Sequence, residues 1–314
     1  MDIVAIGEVL IDLTQTGVNE AGIPRFAANP GGAPANLAVA ASRLGASTAL
    51  ISKVGQDAFG RYLRSVLEEN GVDARALAVD EEQHTTLAVV SVDEKGERDF
   101  TFYRDPGADS MLLKDEIPPE LLREARILHF GSVSLTREPA RTTTLCAAET
   151  ARSLGALVTY DPNYRANLWP DEATAVRRMR KPLGMVDILK ISDEELPLMA
   201  DTADLASGTA ALADRGIRLV LVTLGADGVY YRFGEMTGTV PGVPCTVGDT
   251  NGAGDTFFGA FLARLCRREG ALDGLTRPQL EEMLAYANKA ASLTTSRHGA
   301  IPAMPTLAEM NAAE

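Results

Sequence analysis

A chain of 314 residues, 46 % apolar and 23 % charged, is long enough for one large α/β domain or two smaller ones and has the composition of a soluble globular protein. Its formal net charge of −13 argues against nucleic-acid and anionic-membrane partners, which are held by clustered Lys and Arg. The three irregularly spaced cysteines argue for reduced thiols in a cytoplasmic setting and against a zinc site; no apolar run reaches membrane-span length, and the early acids do not read as a signal peptide.

Residues 2–11 read as a buried first strand, interrupted by Gly7 and Glu8 and ended by Asp12. Residues 13–30, with Gly17, Gly22, Pro24 and Pro30, read as an exposed hairpin or loop. Gly31 and Gly32 then open an alanine-rich helix stopped by Gly45. A strand over residues 48–54 and a helix over residues 58–69, stopped by Gly71, repeat the pattern. Two β runs at 86–92 and 98–104, joined by Asp93-Glu94-Lys95-Gly96-Glu97, signal a hairpin that interrupts the alternation. It belongs outside the main sheet. Strands at 127–130, 156–160, 186–190 and 219–223 resume the alternation, followed by an antiparallel stretch at 228–240 and a last helix over 281–294. The expected architecture is α/β, a mostly parallel central sheet with helices on both faces, formed by residues 1–12, 31–84 and 105–314. A small β lid is expected from 13–30 and 85–104.

The stretch Val247-Gly248-Asp249-Thr250-Asn251-Gly252-Ala253-Gly254-Asp255-Thr256 precedes Phe258, Phe261, Leu262 and Leu265 at helical spacing. Gly252, Ala253 and Gly254 therefore sit where a loop becomes a buried helix. Small residues there leave first-turn N–H groups uncovered, and with the helix dipole these form a site for a phosphate or a developing anion. Asp255 stands at its mouth. An acid at that place either caps the helix or does chemistry. In an open parallel sheet, ligands bind beyond the carboxyl ends of the strands. Asp12, Asp161-Pro162-Asn163-Tyr164-Arg165, Lys190-Ile191-Ser192-Asp193-Glu194-Glu195 and Thr223-Leu224-Gly225-Ala226-Asp227-Gly228 all fall there. Each alone is ordinary turn chemistry; together they point to a shared cleft. There is no Gly-x-x-x-x-Gly-Lys-Ser/Thr, which excludes a P-loop kinase. His84, His129 and His298 show no partner spacing and read as structural, with His298 near the inferred nucleotide edge. Cys146 and Cys266 read as core. Trp169 either packs under the cleft or caps the core.

Gly31-Gly32 with Asn36, Val54-Gly55 with Asp57 and Phe59-Gly60, Asp161-Pro162-Asn163, Thr223-Leu224-Gly225 and Asp249-Thr250-Asn251-Gly252-Ala253-Gly254-Asp255 cover nearly the whole chain. In that order they resemble the ribokinase-like, or PfkB, family of sugar kinases. Phe102-Tyr103-Arg104 with Pro106-Gly107-Ala108-Asp109, and Asn163-Tyr164-Arg165 with Leu168-Trp169, are similar to its bacterial fructokinase branch.

The resemblance implies an ATP-dependent kinase acting on a sugar's primary hydroxyl. Asp255 would be the base, and Gly252, Ala253 and Gly254 the anion hole. Asp12, Gly31, Gly32, Asn36 and Asn163 would hold the sugar, with Arg165 and the lid residues Phe102 and Arg104 contacting it. Lys190, Ser192, Thr223, Gly225, Gly228 and Asn288 would line the ATP side. A monovalent cation, K⁺ by family habit, would lie near Asp249, Asn251, Thr294, Arg297 and Gly299. The family's Asn-x-x-Glu motif for Mg²⁺ reads Ser192-Asp193-Glu194-Glu195 here. Glu195 either reaches Mg²⁺ through water or is a solvated acid at a helix start. The base is expected to have an ordinary carboxylate pKa, about 4. The lid would exclude water, and its sheet edges could pair in a homodimer. D-fructose is the leading acceptor. Arg165, able to pair with a sugar-acid carboxylate, keeps 2-keto-3-deoxygluconate as an alternative. A catalytically silent sugar or nucleotide sensor on the same fold is the other.

Overall fold

The computed structural model of the chain describes residues 1–92 and 98–312. The turn expected at 93–97 lies outside the described residues. The strands are β1 (Ile3–Ile6), β2 (Leu10–Val18), β3 (Pro24–Gly31), β4 (Thr48–Gly55), β5 (Val72–Asp73), β6 (Leu77–Asp80), β7 (Leu87–Val92), β8 (Arg98–Tyr103), β9 (Ile127–Gly131), β10 (Leu157–Asp161), β11 (Ile188–Ser192), β12 (Leu219–Thr223), β13 (Val229–Phe233) and β14 (Met236–Val240). The helices are α1 (Ala33–Arg43), α2 (Ala58–Glu69), α3 (Pro119–Glu124), α4 (Ala140–Ser153), α5 (Glu172–Arg180), α6 (Leu196–Ala200), α7 (Leu205–Ala213), α8 (Ala253–Cys266), α9 (Arg277–Thr295) and α10 (Leu307–Ala312).

The central sheet runs β14-β13-β12-β11-β10-β9-β1-β4-β5, with β6 also on β4; β13 and β14 are antiparallel and the other pairs parallel. Its central strands are buried on both faces, which is why they read as continuous apolar runs. Alternation splits the core. Val4, Ile6, Leu128, Phe130, Val158 and Tyr160 pack with α3 to α7. Ile3, Ile127, Ile188 and Leu221 meet α1, α8 and α9 on the other face. Trp169 lies in the first of these cores. Helix ends follow local chemistry: Asp57 caps α2 by accepting from the Gly60 N–H at 2.8 Å. At the end of α1 the Gly45 and Ala46 N–H groups return to Ser42 and Ala41 carbonyls.

A separate four-stranded sheet, β3-β2-β7-β8, forms beside the core. Here the structure corrects the expected boundary. The apolar run 2–11 is two strands, because the chain breaks at Gly7–Val9 and leaves the core sheet. At that break a side chain on Gly7 would come within 2.7 Å of Pro34 at the start of α1. Asp12 is therefore on lid strand β2 and not at the end of the first core strand. The antiparallel β2–β3 hairpin begins at Leu10 and carries a register shift at Gln15/Gly17. The helix expected at 281–294 extends over Arg277–Thr295, started by a Thr276/Gln279 capping box, and α10 follows it.

Candidate active site

Gly252 starts α8 in the left-handed region, φ 72°, where an added side chain would press within 2.9 Å of Ala300 Cβ. Ala253, Gly254 and Asp255 form the first turn, whose N–H groups have no intrahelical acceptors. Asp255 is the third residue of the helix, so it is not the cap. A side chain on Gly254 would reach 3.0 Å from Lys190 Nζ, which places that ammonium beside the glycine turn. Lys190 projects from β11, is buried, and pairs with Asp161 Oδ2 on β10 at 2.9 Å. Burial works against its charge, but Asp161, Glu195 and Asp255 outweigh it and hold the pKa above the ordinary lysine value.

The Asp255 carboxylate is buried at the base of a cleft. Its Oδ2 accepts from Asn36 Nδ2 at 2.8 Å and its Oδ1 from Asn163 Nδ2 at 3.3 Å. Asn36 sits in the first turn of α1, and its Oδ1 has no partner among the described residues. Asn163 adopts φ 47° just past β10, where its N–H donates to Asp161 Oδ1 at 3.2 Å. Burial, then repulsion from Asp161, raise the Asp255 pKa to about 6 against the pull of Asn36, Lys190 and Arg165. The ordinary carboxylate value expected from the sequence is corrected upward. Asp12 also rises to about 6, through burial and the neighbouring Asp255 and Asp249 charges, with Arg165 opposing. The cleft, about 550 Å³ with the solvent-open space at its mouth included, is lined by Asp12, Gly32, Asn36, Asn163, Arg165 and Asp255, with Phe102 contributed by the lid. Gly31 lies just outside, where a side chain would meet Asp12 Oδ2 at 2.5 Å.

A model of the pfkB family of carbohydrate kinases matches residues 1–307. The chain belongs to that family. A probable fructokinase-4 of Arabidopsis thaliana is 41 % identical over 98 % of this chain and 95 % of its own length. A fructokinase from Xylella fastidiosa with bound ATP superposes with TM-score 0.92 at 32 % identity, covering 99 % of this chain and 97 % of that one. A fructokinase double mutant from Vibrio cholerae O395, with fructose, ADP and potassium ion bound, gives TM-score 0.90 at 33 % identity, covering 99 % and 98 %. The fold is ribokinase-like.

In this pfkB kinase the remaining sequence candidates fall into three groups. The first surrounds Lys190. Glu195 is buried; its Oε1 accepts from the Tyr164 N–H at 2.7 Å and its Oε2 from the Ser192 N–H at 2.9 Å, while Ser192 Oγ accepts from the Glu195 N–H at 3.2 Å. Burial and Asp161 raise its pKa, with Lys190 opposing. The solvated-acid alternative is therefore removed. Thr223 ends β12 beside Ser192, its Oγ1 donating to the Ile191 carbonyl at 3.3 Å. Gly225 follows with open space where a side chain would stand.

The second group holds the chain together. Gly228 passes so close to Val240 O and Gly242 N that a side chain would not fit. Asn288 on α9 donates from Nδ2 to the Val240 and Pro241 carbonyls at 3.2 and 2.9 Å. Like the other residues expected on the ATP side, neither lines the sugar cleft. Arg104 also departs from expectation. Its guanidinium is buried, paired with Asp109 at 2.7 Å, and bonded to Thr136 Oγ1 and the Val133 carbonyl, so it braces the lid's return to the core and does not line the cleft.

The third group is the proposed cation loop. Asp249 Oδ1 and Oδ2 accept from the Asn251 and Gly299 N–H groups at 2.9 and 3.1 Å. The Gly248 and Asp249 N–H groups donate to Thr295 O, and the Arg297 N–H donates to Thr294 O. Asp249 and Asn251 lie in the loop before α8, Thr294 in the last turn of α9 and Arg297 and Gly299 in the loop after it, while the Arg297 guanidinium turns away to Glu309 at 2.7 Å. His129 is buried against Phe258 and Thr159, and burial with the Lys190 charge lowers its pKa to about 3, in keeping with a structural role. Cys266 is buried, whereas Cys146 is only half-buried. Reading the sequence as a first strand missed Glu8, which lines the cleft; the signal was an acid within an otherwise apolar run.

Proposed function

We propose that this kinase transfers the γ-phosphoryl group of ATP to the 6-hydroxyl of D-fructose, giving fructose 6-phosphate and ADP. The observation that carries the reading is Asp255: a buried carboxylate, oriented by two asparagine amides, at the junction of an open cleft and a glycine-lined helix N-terminus. Fructose-binding relatives of the same fold supply the choice of sugar. The hydroxyl oxygen forms a bond to the γ-phosphorus as the bond to the ADP oxygen breaks. The hydroxyl proton passes to Asp255. Phosphoryl transfer has a loose transition state, so the protein positions the reactants and stabilises charge. The N–H groups of the 252–254 turn, the α8 dipole and the Lys190 ammonium do so from one side. Asp12, Asn36, Asn163 and Arg165 orient the sugar, and Phe102 covers it.

Mg²⁺ would supply charge neutralisation on the ATP phosphates. Among the described residues no group of three or more His, Cys, Asp or Glu side chains could cage a metal. Glu195 would hold such an ion through its water shell. K⁺ would sit on the Asp249 loop, supported by the potassium-bound Vibrio relative. Three free cysteines fit a cytoplasmic enzyme. Among the described residues no helix is long and apolar enough to cross a membrane. The lid is a dimerisation surface.

A substrate panel with coupled ADP detection tests the sugar. Fructose should give the highest kcat/KM. Arg165 lines the cleft, so a sugar acid is the competitor to beat. Faster turnover of 2-keto-3-deoxygluconate would replace fructose, and absence of turnover with every sugar would leave a binding protein.

A further inference from the structure

The least accounted-for group in the cleft is Glu8. It sits between β1 and β2, where the chain leaves the core sheet for the lid, and is only 3 % exposed. Its Oε1 accepts from the Ala33 N–H at 3.0 Å and so caps α1, whose own cap residue, Gly32, has no side chain. Its Oε2 is buried with no hydrogen-bond partner among the described residues. A buried, unpartnered carboxylate oxygen is costly, and a helix cap needs only one of the two oxygens. Glu8 also lines the same cleft as Asp12, Asn36 and Asp255.

We infer that Glu8 is a sugar-binding residue, with Oε2 accepting a hydrogen bond from a fructose hydroxyl other than the one phosphorylated. Glu8 shares the cleft wall with Val133, whose carbonyl accepts from the Arg104 guanidinium that braces the lid. Asp255 activates the reacting hydroxyl and Glu8 reads another. The inference rests on the kinase reading of this site.

The test is Glu8→Gln, which keeps an oxygen for the Ala33 N–H and turns the other position into a donor. Wild type and variant are assayed on the acceptor that the wild type phosphorylates fastest, so a failure of the fructose reading still leaves Glu8 measurable. KM for the sugar should rise about 10- to 100-fold, KM for ATP should stay within about twofold, and the unfolding temperature should hold. A scan of singly deoxygenated sugars should then find one analogue that costs the wild type heavily and costs the variant nothing further. An unchanged sugar KM would overturn the assignment. So would a parallel loss for sugar and ATP with a lowered unfolding temperature, because Glu8 would then serve α1 alone. Deoxy losses that simply add to the variant's loss would also overturn it.

Discussion

Asp255 is held under conflicting demands. As the proposed base it must be ionised, while burial and the Asp161 charge favour the protonated form and raise the pKa to about 6. Two consequences follow with opposite signs. First, kcat/KM for the sugar should fall as pH drops through about 6, by at least roughly tenfold per pH unit below it because Asp12 protonates over the same range, and flatten above; a profile level down to pH about 4.5 would exclude Asp255 as the base. Second, the folded-state pKa lies above the unfolded value, so ionised Asp255 subtracts from stability above the unfolded pKa and stops doing so as pH falls. Asp255→Asn should therefore lose about 10³-fold in turnover, keep binding ATP, and unfold at a temperature no lower than the wild type. Near-normal turnover would remove the base assignment. At this scale the sequence showed what local pattern encodes. Gly252, Gly254 and Asp255 stood out because a helix start with small residues is a local feature. Arg104 was misread because its partner's role depends on the folded lid junction, where Asp109, Thr136 and Val133 meet it. Glu8 was passed over because an acid in an apolar run resembles a defect until the chain is seen to turn there.

The meeting of Asn36 with Asp255 depends on how closely α1 and α8 approach. A side chain on Gly259 of α8 would lie 2.7 Å from Leu37 O and 3.0 Å from Ala40 Cβ of α1, so the helices touch almost backbone to backbone. Ala40 and Ala41, which read simply as helix formers, are part of the other half of that contact. In an uncrowded helix, Gly→Ala stabilises by about 1 kcal/mol. Here Gly259→Ala should instead destabilise by about 1–3 kcal/mol through overpacking, and weaken sugar turnover by moving Asn36 off Asp255. Denaturant unfolding measures it; a variant as stable as the wild type or more so would show that the helices have slack. Elements within one layer were legible, as with α2 over Ala58–Glu69 and β12 over Leu219–Thr223, because periodicity and end signals agree there. The β1–β2 break was not, since strands on both sides of Gly7–Val9 bury apolar residues and no pattern of burial distinguishes two sheets from one.

The two sheets differ in what they leave exposed. The strand registers place Asp12 and Phe102 on one lid face, toward the cleft, and Leu13, Phe26, Leu87 and Tyr103 on the other, where Leu13 and Leu87 pack against the core and Phe26 and Tyr103 stay open. Phe26 is 45 % and Tyr103 63 % exposed, with Val18 and Ile23 also open near the hairpin tip. An open apolar patch of this kind is where the proposed dimer would form. The edge strand β3 carries Pro24 and Pro30, which blunt strand-to-strand pairing, so the outer face is the better surface for a second copy than the edge expected from the sequence. With a net charge of −13 per chain, two copies repel at long range, and added salt should strengthen the association. Light scattering should report about twice the 33.4 kDa chain mass, and Phe26→Lys with Tyr103→Lys should return the monomer. Because the same strands carry Asp12 and Phe102, the monomeric variant should also show a raised KM for the sugar at unchanged KM for ATP. A wild type that stays monomeric at assay and at millimolar concentration, in low and high salt, would leave the lid as a cover for the cleft alone.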